Sequence, residues 1–113
     1  MENMKFEFKI IEKNDFVVVT FKGRISKESR EVIQACHSEL NNFTSKTIIF
    51  FFKDVTGVDV AVSRDFTLLQ QDVRKNNKLY LVGLSLNLKL ELNEKGLIRL
   101  REVRGSLEEV LKK

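Results

Sequence analysis

The stretch TIIFFFKDVTGVDVAVSRDF, residues 47–66, decides the fold. From Ile48 to Phe52 it is apolar at every position. Such a run suits a strand covered on both faces, as in the middle of a largely parallel sheet. After the Thr56-Gly57 pair the sequence leads into a helical pattern in which Phe66, Leu69 and Val73 share one face. The connection between a buried strand and a helix start is where α/β proteins often place their chemistry, because backbone N–H groups point outward there. At its centre this connection reads Asp59-Val60-Ala61-Val62, with neither glycine nor hydroxyl.

Upstream, Phe6, Phe8 and Ile10 alternate with charged residues, Lys13-Asn14-Asp15 is turn-like, and FVVVTF follows at residues 16–21. That pattern predicts a β-hairpin. Beyond Gly23, Ser26 is placed to cap a helix whose apolar positions are Val32, Ile33, Cys36, Leu40 and Phe43. Downstream, Asn76-Asn77 closes the second helix before the strand KLYLV, residues 78–82. Leu86 to Leu92 reads as a third helix stopped at Lys95-Gly96, and LIRLREV, residues 97–103, as a last strand. Ser106 with Glu109 three positions on is a capping box for a closing helix. The expected fold is therefore α/β: one open mixed sheet of about five strands with an N-terminal hairpin and about four helices.

A chain of 113 residues has room for one core, and residues 1–113 are read as a single domain. With 42% hydrophobic and 32% charged residues it has a globular composition. The apolar runs are far shorter than the roughly 20 residues a membrane span requires, so no membrane insertion is expected. MENMKFEFKI lacks the uninterrupted apolar core of a signal peptide. One cysteine excludes an internal disulfide, and a reducing cytoplasmic location fits. The net charge of +4 is spread among acids, so no nucleic-acid partner is expected. The densest basic patch, Arg99, Arg101 and Arg104, reads as the outer face of a half-buried strand.

Candidate chemistry is sparse. His37 and Cys36 are adjacent in sequence and would point about 100° apart on a helix, so they form no thiolate–imidazole pair. Cys36 belongs to the apolar stripe and His37 to an exposed flank. Metal-ligand, phosphate-loop, dinucleotide and nucleophile-elbow motifs are all missing. No cofactor, metal or catalytic residue is expected, and the chain is read as a non-enzyme.

Taken together, FVVVTFKGRIS, TIIFFFKDVTGVDVAV, KLYLVGLS, KGLIRL and SLEEVL resemble a STAS domain in order and spacing, over nearly the whole chain. This is the module of bacterial anti-sigma-factor antagonists and of the cytoplasmic tails of sulfate transporters. The resemblance implies an Asp-Ser-Ser-Gly or Asp-Ser-Thr-Gly turn whose second hydroxyl residue accepts a phosphate from a partner kinase. On this chain Asp59 matches the aspartate, Val60 the first hydroxyl residue, Ala61 the acceptor and Val62 the glycine.

Ala61 has no hydroxyl to phosphorylate, and a β-branched Val62 where glycine is usual would obstruct close docking. Ser63 is open to two readings, a helix cap or a displaced acceptor. Asp59, Ser63, Arg64 and Asp65 are the expected partner-binding residues. The implied function is a protein-interaction module of a bacterial partner-switching pathway, with an anti-sigma factor or serine kinase as partner. The alternatives are an accessory subunit of a transporter or sensory scaffold, and a small-ligand binder using the N–H groups near residues 59–64. The edge of the first strand would also allow a homodimer.

Overall fold

A computed structural model describes residues 5–111. Its elements run β1 (Glu7–Lys13), β2 (Phe16–Ile25), α1 (Arg30–Leu40), β3 (Thr47–Val58), α2 (Ser63–Asn76), β4 (Lys78–Val82), α3 (Leu86–Glu94), β5 (Val103–Arg104) and α4 (Leu107–Leu111). The five strands lie side by side in chain order. β1 and β2 pair antiparallel and the remaining neighbours are parallel, so the sheet is mixed and β3 is its centre. Asn14, in the hairpin turn, has φ 58°, a left-handed conformation that asparagine tolerates.

Strand periodicity divides the apolar run as expected. Ile48, Phe50 and Phe52 join the larger core, while Ile49 and Phe51 face the opposite side with Val82 and Val110. α1, α2 and α3 cover the larger face, to which they contribute Ile33, Phe66 and Leu88 among others, and α4 packs on the other. Phe21, Phe50, Phe52 and Phe66 form a cluster with ring centroids 5.1 to 6.3 Å apart. Fully burying a side chain such as Phe66 stabilises by ~1.5–3 kcal/mol, enough to anchor the first turn of α2 on the sheet.

Five sequence expectations need correction. β3 does not stop at Phe52 but continues to Val58, and Thr56-Gly57 lies within it. Its pairing with β2 shifts from Thr20↔Phe51 to Lys22↔Asp54, and from Gly23↔Val55 to Arg24↔Gly57, so β3 carries two bulged residues. The segment LIRLREV is not a strand. Leu97 and Ile98 are buried side by side, which breaks the alternation a strand needs, Leu100–Glu102 form a 3₁₀ turn, and only Val103–Arg104 pair with β4.

Of the basic patch, Arg99 and Arg101 accordingly do not line a strand's outer face, and only Arg104 lies in β5. Ser26 opens a 3₁₀ turn, Lys27–Ser29, that precedes α1, and its amide donates to Ser29 Oγ at 3.0 Å. His37 is half-buried rather than on a free flank, because its Nε2 meets Asp72 Oδ2 of α2 at 2.6 Å.

Helix ends follow the sequence more closely. α3 stops at Gly96, whose φ of 69° lets the Leu97 amide reach back to Leu92 O at 2.8 Å. For α4 the Glu109 amide donates to Ser106 Oγ, while the Glu109 carboxylate accepts from Gly105 N rather than Ser106 N.

Candidate functional site

The link between β3 and α2 is short and internally bonded. The Asp59 amide donates to Ile25 O at 2.8 Å, tying the end of β3 to the end of β2. Residues Val60–Val62 make one 3₁₀ turn, with the Val62 amide on Asp59 O at 3.3 Å and the Ser63 amide on Val60 O. Amides at 59, 62 and 63 are thus occupied within the protein. The outward N–H groups on which the small-ligand reading depends are correspondingly fewer.

Val62 has φ −115°, and its side chain is fully buried in the larger core. It therefore does not stand at the surface as an obstruction, and nothing in its backbone conformation demands glycine. Val60, by contrast, is 73% exposed, and Ala61 is exposed beside it. Ser63 Oγ donates to Val60 O at 2.6 Å, so the hydroxyl supports the turn that precedes it and does not cap α2 by accepting an amide. Val62 occupies the N-cap position with no side-chain hydrogen bond to offer.

Two arginines outside the 59–65 stretch hold it in place. Arg24, near the end of β2, forms an ion pair with Asp59. Gly57 clears the way, since a Cβ there would lie 2.5 Å from Arg24 Nη1. Arg30, the first residue of α1, donates from Nε to Asp65 Oδ2 at 2.9 Å and from Nη2 to Ala61 O at 3.0 Å. Exposed pairs of this kind contribute only ~0–1 kcal/mol each, so their effect is to fix geometry more than to stabilise.

The arginine side chains are 50% and 51% exposed, and their carboxylate partners 36% and 24%. Arg64 is exposed and makes no ion pair among the described residues. The outward face of the turn is therefore guanidinium around an apolar centre of Val60 and Ala61. Asp59, Ser63, Arg64 and Asp65 are all brought to this one turn. Arg24 and Arg30 were not legible in the sequence, because only the bulged register of β2 against β3 and the packing of α1 beside α2 bring them there.

Other titratable groups lie away from the turn. Burial, with a smaller contribution from the charge of Glu39, pushes the Cys36 thiol up to about 12, which leaves it unreactive in the folded protein. Hydrogen bonds from His37 and then Lys75 hold the Asp72 carboxyl below its ordinary value. Among the described residues no group of three His, Cys, Asp or Glu side chains is placed to hold a metal ion, and no helix is long and apolar enough to cross a membrane.

This arrangement, an open mixed sheet in sequential order with four helices, is the fold of STAS domains. A STAS anti-sigma-factor antagonist domain protein from Planctomyces limnophilus superposes with a TM-score of 0.74 at 10% identity, over 94% of this chain and 95% of that one. The Bacillus cell fate determinant SpoIIAA in its phosphorylated form gives 0.65 at 18% identity, over 96% of both chains. The murine anion transporter Slc26a9 gives 0.74 at 14% identity, covering 99% of this chain and 22% of the transporter. Neither a protein-family model nor a curated protein matches the sequence.

Proposed function

We propose that this protein is a cytoplasmic protein-interaction module of a bacterial partner-switching pathway, acting as an anti-sigma-factor antagonist does but without the phosphorylation switch. The observation that carries the proposal is the β3–α2 turn. It is held rigid by Arg24 and Arg30, presents Val60 and Ala61 outward, and has no hydroxyl at the acceptor position. A rigid apolar centre rimmed by charge is the pattern of a docking surface, and a preorganised turn loses little entropy on binding.

Asp59 and Asp65 position the arginines, and Arg64 is the free contact for an anti-sigma factor or serine kinase with a complementary acidic patch. Ser63 acts as a support of the turn and not as a substitute acceptor on this reading, its Oγ donating to the Val60 carbonyl. The partner would then be bound constitutively, with no catalytic step. Incubation with the partner kinase and ATP, followed by intact-mass measurement, should show no added phosphate. A phosphate mapped to Ser63 would overturn the proposal.

The superposition on the transporter favours a second reading, an accessory domain docked to a membrane transporter. Co-purification with a transporter rather than a soluble kinase would select it.

A further inference from the structure

At the other end of α2 from this turn, ~20 Å along the helix, a cleft of about 450 Å³ opens between the C-terminus of α2 and the β4–β5 edge of the sheet. Its floor is Arg74, which donates from Nε and Nη2 to the Glu102 carboxylate at 2.8 and 2.7 Å. Both side chains are largely covered, at 16% and 12% exposed. Around them stand Lys78, Arg99, Arg101 and Arg104. Five cations against one carboxylate leave four positive charges, as many as the formal net charge of the whole chain.

None of these four has a carboxylate partner among the described residues. The adjoining depression differs in this respect, for its Lys46 is paired with Glu12 and its Lys75 with Asp72. Arg104 is fixed in place, with Nη1 donating to Arg101 O at 2.8 Å and to Val103 O at 2.9 Å and the guanidinium 4.7 Å from the Tyr80 ring centroid. Gathering like charges in one cleft weakens the fold slightly through repulsion, and among the described residues Glu102 is the one carboxylate in the cleft to offset it.

We propose that this cleft binds a small ligand carrying more than one phosphate group. A phosphate group carries about −1.5 to −2 charges near neutral pH, so two of them match the four uncompensated positive charges. Arginine's planar fork suits phosphate oxygens in bidentate contact, and Arg99 and Arg101 are exposed and free to turn inward. The site is independent of the docking turn, and its failure would leave the proposed function untouched.

The test is titration calorimetry at fixed low salt with inorganic triphosphate, pyrophosphate and orthophosphate. It compares the full chain with Arg99→Ala/Arg101→Ala and with a control pair of exposed lysines elsewhere, Lys22→Ala/Lys53→Ala. The expected result is triphosphate binding at least about tenfold tighter than orthophosphate, weakened at least about tenfold by the arginine pair and less than about twofold by the control. Absence of triphosphate binding, or equal loss in both variants, would overturn the assignment. So would tighter binding of a thymidine oligonucleotide than of triphosphate, which would make the cleft a nucleic-acid surface instead.

Discussion

Placing glycine at the turn, Val62→Gly, should destabilise this protein by about 2–4 kcal/mol. The Val62 side chain is fully buried against the core that holds Phe66, and losing such a side chain forfeits ~1.5–3 kcal/mol of burial. Glycine adds ~0.5–1 kcal/mol of conformational entropy, with no compensating gain because φ at this position is already negative. Ala61→Ser, one position earlier and exposed, should leave stability within ~0.5 kcal/mol. Urea unfolding followed by far-ultraviolet circular dichroism measures both. A loss below about 1 kcal/mol for Val62→Gly would mean that the side chain does not lie in the core, and that the inward orientation of this turn is wrong.

Gly23→Ala should cost more than about 1 kcal/mol, because φ is 99° and a Cβ would sit 2.3 Å from the Lys5 carbonyl oxygen; an unchanged urea midpoint would count against the close approach of residue 5 to β2. Cys36 should resist alkylation at pH 8 in the native state and react fully in denaturant. Its folded pKa is raised from 9.0 to about 12, so the associated stability is present below pH 9 and is lost as pH rises toward 12. A native-state alkylation rate equal to the denatured rate would contradict this. Asp72 has a depressed folded pKa, so its stabilising effect is present above its unfolded pKa and is lost as pH falls through the folded one. His37→Ala should move the Asp72 midpoint, read by carboxyl carbon NMR, upward toward the ordinary range, and an unmoved midpoint would refute the pairing.

Elements whose identity depends on local periodicity were legible in the sequence. The unbroken apolar run at 48–52, the 3.6-residue stripe of α1 and the short strand at 78–82 all form where the sequence places them. The extension of β3 through Thr56-Gly57 was not legible, since glycine there serves the passage of Arg24 to Asp59 instead of a turn. LIRLREV misled because an apolar-basic alternation over Ile98 to Arg101 imitates a strand, whereas tertiary packing buries the adjacent pair Leu97 and Ile98 and curls Leu100–Glu102. At the site, the residues between Asp59 and Asp65 could be named in advance because they are contiguous. The direction of Val62 and the two arginine clamps could not, because they depend on register shifts and helix packing between segments 35 positions apart in the chain.

Affinity isolation from the native cell, with wild type and Arg64→Glu in parallel, tests the docking surface most directly. Arg64 is exposed and makes no ion pair among the described residues, so the substitution should leave the fold intact while reversing the charge at the rim of Val60 and Ala61. The account predicts a protein partner recovered with wild type in the absence of any phosphorylation and lost with Arg64→Glu. Equal recovery of the same partner by both proteins would contradict it and place the interface elsewhere on the molecule.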